Sequence, residues 1–256
     1  MATGTATDRG REAPPPEERP SAWSAARAFA VVMGPSVALL AAAAASLGTA
    51  ARSLARCRRP PGWAAAGTAA LAGHLLVVRP WMRNWGATPE ERVMPLPGDE
   101  LTPEPAVRST RAIAIAAPPE RVWPWLAQIG QDRGGFYSWA WAENLAGCRM
   151  RNADRIHPEW QHREVGETVY LHPATGLPVG RFDPPEVIAL TGWGAFVVRP
   201  GPGGGTRLIA RNRQRRGPAY LVYALLVELP HVVMERAMLR GIRARAERGA
   251  AGDGAG

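Results

Sequence analysis

Lysine is absent from this chain, so all thirty-one of its basic residues are arginine. That excludes a phosphate-binding P-loop, which needs a lysine to reach the β- and γ-phosphates; "GQDRGG" is read instead as a turn with positive φ at Gly134 or Gly135. Cysteine occurs only at Cys57 and Cys148. Two distant cysteines support neither a disulfide framework nor a cysteine-rich metal centre, and free thiols in a reducing setting are expected. A concentrated basic face is also lacking. Thirty-one arginines against twenty-two acids give a net charge of +9, but the arginines are scattered from Arg9 to Arg248. Nucleic acid is therefore not an expected partner. With alanine, glycine and proline abundant, the all-arginine usage reads as a GC-rich coding bias. No G-x-S-x-G elbow frames Ser138, and Cys148 has no local base. His157 and His162 are five apart with Pro158 between them, so they do not share a helix face as zinc-protease histidines do. No metal, cofactor or catalytic residue is expected.

What the chain does have divides it. Residues 1–21 and 249–256 read as disordered tails. Residues 28–51 carry no charge; as a helix they would span about 36 Å, against a hydrocarbon core of about 30 Å. Residues 60–78 form a second uncharged stretch, with Trp63 at one end and Trp81 and Trp85 at the other, where interfacial aromatics belong. Residues 22–85 are thus expected to form a two-helix transmembrane hairpin; the first run starts too late for a signal peptide. Arg9, Arg11, Arg19, Arg27, Arg79, Arg83 and Arg92 flank the hairpin, against Arg52, Arg56, Arg58 and Arg59 in its connector. The positive-inside rule then puts the soluble domain in the cytoplasm.

Residues 86–107 are rich in proline and acid and read as a linker. The domain proper, 108–248, opens on "RSTRAIAIAA", whose alternation is that of a half-buried strand. "PPERVWPWLAQIG" has helical spacing at Val122, Leu126 and Ile129, with Pro124 costing a kink or a frayed first turn. Five short strands are expected at "ETVYLH", "LPVGRF", "EVIALTG", "GAFVVRP" and "TRLIARNR", the last two joined by the turn "GPGGG". A helix from about His231 to Arg248 follows the apolar run "PAYLVYALLVELP", itself expected to be a short helix or loop that caps a cavity or touches the bilayer. The order predicts an α+β fold, antiparallel sheet packed on helix.

That order, with the blocks "RPWMRNWGATPEE", "LPGDEL", "GGFYSW", "NADRIHPEW" and "VMERAMLRGI" between Trp81 and Glu247, resembles the START-like (SRPBCC) superfamily. It is most similar to the membrane-tethered bacterial branch labelled by similarity to polyketide cyclases. The resemblance implies a helix-grip fold, a curved antiparallel sheet around a long C-terminal helix with a cavity for an apolar ligand. Fold leaves function open, since the superfamily mixes carriers, receptors and cyclases.

The expected ligand contacts are Phe136, Tyr137 and Trp141 at a lid over the cavity mouth, with Asp154 and Arg155 as an internal pair or turn cap. Glu235 falls within the apolar face of the last helix, between Ile242 and Leu239 on a helical wheel. A carboxylate there needs a partner or a proton, and Arg133 or Arg155 is the expected partner. Arg236, Arg240, Arg243 and Glu247 form the water-facing stripe. The expected function is a membrane-anchored binder of a lipid or other apolar small molecule. The alternatives are a cyclase- or aromatase-like enzyme acting on a polyketide-type substrate, and a regulatory scaffold with a filled core.

Overall fold

A computed structural model describes residues 22–252 of the chain. The tail expected over 1–21 lies outside the described residues, as do 253–256. The chain begins with helix α1 (Ala22–Ala55). A short connector leads to α2 (Gly62–Gly73), which widens into a π-helical turn at His74–Val78 and resumes as α3 (Arg79–Arg83). α2 packs back along α1, close enough at Gly67 that a Cβ there would collide with the side chain of Ser46.

The remainder is α+β. The six strands are β1 (Val107–Ile115), β2 (Thr168–His172), β3 (Thr175–Asp183), β4 (Val187–Leu190), β5 (Gly194–Pro200) and β6 (Thr206–Gln214). They form one antiparallel open sheet in the order β1-β6-β5-β4-β3-β2. After β1 the chain crosses to the far edge through α5 (Pro119–Ala127), a long loop and α6 (Ala140–Leu145). It then meanders back until β6 pairs with β1, Val107 opposite Gln214 and Ile115 opposite Thr206. The chain closes with α7 (Pro218–Val222), a second π-helical turn at Tyr223–Val227, and α8 (Glu228–Gly252). The last helix thus runs through the start of the tail expected from residue 249.

Strand alternation sends two sets of side chains to opposite faces. Ile113, Ile115, Ile188, Leu190, Phe196 and Leu208 meet α5 and α8, where Val122, Leu126, Leu239 and Ile242 are fully buried. The other face carries Ala112, Val187, Ala189, Ala195, Val197 and Ile209. It is buried as well, which corrects the half-buried pattern expected of β1. Residues 86–107, expected as a linker, are the reason: Ala87, Met94, Leu96 and Leu101 pack onto that face.

This covering segment is held by charge as much as by apolar contact. Its helix α4 (Pro89–Val93) starts with a capping box, in which the Thr88 hydroxyl accepts from the Glu91 amide and the Thr88 amide donates to the Glu91 carboxylate. The same carboxylate accepts from Arg207 on β6 at 2.6 Å. Asp99 lies 3.2 Å from both Arg211 and Arg213 of the same strand. The alternation that directs Leu208 and Ala210 to the helices directs these three arginines to the segment.

Candidate functional site

The segment after α5 is a strapped loop. Gly130 and Gly135 exchange two backbone hydrogen bonds, 3.1 and 2.8 Å, closing the GQDRGG turn. Of Gly134 and Gly135 it is Gly135 that has positive φ, at 73°, and a Cβ there would sit 2.6 Å from the Arg151 carbonyl oxygen. Two residues on, Tyr137 also has a positive φ, 56°, which is uncommon for a non-glycine residue. Asn152 holds it there by accepting from the Tyr137 amide at 2.7 Å and donating to the Ser138 carbonyl at 2.8 Å. The loop can then dock on α8, where Gly241 faces the Tyr137 carbonyl with no room for a side chain.

Between the sheet, α8 and this loop lies a cavity of about 180 Å³. Leu171, Leu177, Leu190 and Phe196 wall it from the strands, and Met234 and Met238 from α8. Phe136 and Trp193 complete the wall, Trp193 leaning on Phe196 at 4.9 Å between ring centres. The polar groups at the cavity are Ser138, Glu143, His231 and Glu235.

Glu235 is 3 % exposed and its partner is Arg111, itself 1 % exposed. The Arg111 Nε donates to Glu235 Oε1. This corrects the expected partner. Arg133 instead binds Glu167 and the carbonyls of Trp160 and His162, and Arg155 is exposed. Arg111 had the right address in the sequence: it precedes Ile113 and Ile115 by two and four residues, on the strand face that α8 covers. Burial by itself pushes the Glu235 carboxyl up, but the Arg111 charge beside it outweighs that and holds it at about 2.

His231 sits one turn before Glu235 on α8. Its Nε2 is 3.1 Å from Glu235 Oε2, within ion-pair reach but at an angle that makes no hydrogen bond. The same nitrogen lies 3.3 Å from the Trp193 indole nitrogen, and Nδ1 is 2.6 Å from the Tyr223 hydroxyl. Accepting the indole N–H requires Nε2 to be unprotonated, with the ring proton on Nδ1 donated to Tyr223. Burial pushes the Tyr223 hydroxyl up, so it stays neutral. The Glu143 carboxyl is also raised by burial, although the Ser138 hydroxyl donates to its Oε1.

Of the residues expected to meet a ligand, Phe136 and Glu235 line this cavity. Tyr137 is buried elsewhere, edge-on to Trp125 at 5.6 Å and under the Arg245 guanidinium. Trp141 is 66 % exposed, and Asp154 and Arg155 are exposed on the same loop. The site residues that the sequence reading missed are Arg111, Ser138, Glu143, Trp193, Tyr223 and His231. Only Arg111 and His231 left a usable signal, the first through strand alternation and the second through its i, i+4 spacing to Glu235. Among the described residues, no three His, Cys, Asp or Glu side chains come together to hold a metal ion.

A larger cavity, about 370 Å³, lies between α1, α2 and the start of α8. Leu39, Leu71, Leu75 and Leu225 supply much of its wall, and Arg79 and Glu228 stand at it. Arg79 and Arg83 both bind Glu228 and so tie α3 to α8. The Ser36 hydroxyl donates to the Leu226 carbonyl at 3.0 Å, fastening the second π turn to α1. The apolar run 218–227 is thus helical and packed on α1, with Leu221, Val222 and Leu225 more than half exposed. Further along α8, Arg236 stacks on Trp85 at 4.7 Å, and Arg240 leans on the same ring. Among the described residues one helical stretch, Gly34–Ala55, is long and apolar enough to cross a membrane; its 22 residues are mostly unburied within the fold. The chain matches no family model, no curated protein and no solved structure.

Proposed function

We propose that this protein is a membrane-anchored binding protein that holds a small apolar molecule in the cavity between its sheet and α8. The observation that carries the reading is the 180 Å³ cavity itself, walled by leucine, methionine and aromatic side chains around a few fixed polar groups. In this reading the domain is the helix grip implied by the START-like resemblance. α1 and the stretch 60–78 cross the bilayer as a hairpin, and the domain faces the cytoplasm. Leu76 at 77 % and Val77 at 67 % exposure, together with Leu221, Val222 and Leu225, support it; in water such surface is costly, and lipid would cover it. The anchor keeps the domain beside the phase into which apolar ligands partition.

Membrane fractionation tests the anchor. Full-length protein is expected to stay with membranes through alkaline carbonate and to be released by detergent, whereas residues 86–252 alone are expected in the soluble fraction. Release of the full chain without detergent would refute the anchor. Native mass spectrometry of the full chain extracted with its lipids tests the cavity; a bound small molecule is expected, and its loss in Leu177→Trp would place it there.

A second reading, the cyclase-like enzyme, has one observation in its favour. Glu143 and Glu235 share the cavity while burial raises one carboxyl and Arg111 depresses the other, the pattern of an acid and base pair. The two readings part on Glu143→Gln. A carrier should hold the same compound in wild type and variant, whereas an enzyme should accumulate an unreacted precursor of different mass. A scaffold with a filled core is disfavoured by the void.

A further inference from the structure

We infer that this cavity selects an uncharged molecule of about one-ring size that brings its own hydrogen-bond donors, a phenol or small alcohol, and that it rejects carboxylates and phosphates. The inference rests on the reading of the cavity as a ligand site and names the class of ligand. It starts from two orphan atoms. Glu235 Oε2 and Glu143 Oε2 are both buried and neither has a hydrogen-bond donor, yet both residues line the same cavity. A buried acceptor without a donor is costly. The donors that line the cavity are already committed, the Ser138 hydroxyl to Glu143 Oε1 and the Trp193 indole N–H to His231. Behind the wall the Arg111 Nε is spent on Glu235 Oε1, and the Arg111 Nη2, buried without an acceptor, makes no bond to Glu235 Oε2. A donor carried in by the ligand satisfies what the protein leaves open.

Charge narrows the class. The lining holds two carboxyl groups and no arginine, so an incoming carboxylate or phosphate finds no cation to receive it, and a fatty-acid or phospholipid head has no place here. Glu235 is already neutralised by Arg111, so a buried ammonium would stand near that guanidinium without a full partner of its own. Size narrows it further. An engineered apolar cavity of about 150 Å³ holds a benzene ring, and this one measures about 180 Å³. Trp193, Phe196 and Phe136 offer flat surfaces for a ring, and Met234 and Met238 adapt to its outline.

The test uses full-length protein in nanodiscs, titrated calorimetrically with four compounds on one carbon frame: p-xylene, p-cresol, 4-methylbenzoate and 4-methylbenzylamine. Empty nanodiscs supply the blank. p-Cresol is expected to bind at least tenfold tighter than p-xylene, the scale of one hydrogen bond to a charged acceptor. 4-Methylbenzoate at pH 7 is expected to bind at least tenfold more weakly than p-cresol. Glu143→Met should shrink the cresol-to-xylene ratio by threefold or more, and Leu177→Trp should abolish binding of both. Equal binding of xylene and cresol, or a preference for the benzoate or the amine, would overturn the ligand class while leaving the cavity a ligand site. Failure of all four to bind would overturn the class and the binding reading together.

Discussion

Glu235→Gln should cost the domain about 3–5 kcal/mol, the effect of removing one partner from a buried ion pair. The loss comes from Arg111, which would remain charged inside the fold at 1 % exposure. It should be seen as an earlier unfolding transition of full-length protein in detergent, followed by tryptophan fluorescence. Two comparisons make the test specific. Arg243→Ala breaks the exposed pair with Glu247 and should cost less than about 1 kcal/mol. The double variant Arg111→Met/Glu235→Met should recover most of the loss, because two apolar side chains of similar volume need no charge partner. A Glu235→Gln variant no less stable than Arg243→Ala would mean that water reaches the pair.

The same pair makes stability depend on acid. The Glu235 carboxyl titrates at about 2 in the fold and near about 4.3 when unfolded. Its folded value is depressed, so its contribution is fully present above the unfolded value and is lost as pH falls towards 2. Wild type should therefore lose stability more steeply than Glu235→Gln between about pH 4.5 and 2. Parallel curves in that window would remove Glu235 from the account.

How much of this was legible in the sequence depends on the range of the interaction. The strands over 194–200 and 206–213 could be read because alternation and the GPGGG turn are local signals. Glu235 could be placed on the inner face of α8 because a helical wheel needs only its neighbours. Its partner could not be named, since Arg111 lies 124 positions away and the alternative arginines looked equally near. The segment 86–107 was misread for a related reason. Its prolines and acids have no period, yet Leu96 and Leu101 bind a sheet face, while Glu91 and Asp99 meet arginines of β6. A chain that fits a surface formed largely by strands far along the sequence, β4 to β6, carries no pattern of its own. The loop after α5 was half legible. The double glycine marked the turn, but the left-handed Tyr137 that turns Phe136 to the cavity and itself to the core depends on Asn152, fifteen residues on.

That left-handed residue leads to the second large effect, at Gly241. A Cβ on Gly241 would run into the carbonyl carbon and oxygen of Tyr137. These are backbone atoms and cannot swing aside like the end of a long side chain. Asn152 fixes the peptide from both sides, so the loop and α8 would have to part. Helix propensity pulls the other way, since alanine is favoured over glycine in a helix interior by about 0.5–1 kcal/mol. Overpacking a fixed contact costs about 1–3 kcal/mol and at times more. Gly241→Ala should therefore be a net loss of about 2 kcal/mol, and Gly241→Val a larger one. Gly73→Ala is the natural control, because a Cβ at that helical glycine meets nothing within 4 Å; it should be neutral or slightly stabilising. Ligand binding should fall with stability at Gly241, because Phe136 and Ser138 ride on the displaced loop at the cavity. Thermal unfolding and p-cresol titration of the three variants beside wild type measure both. If Gly241→Ala gained stability as Gly73→Ala does, the loop would not rest on α8, and the cavity would lack the wall that Phe136 gives it.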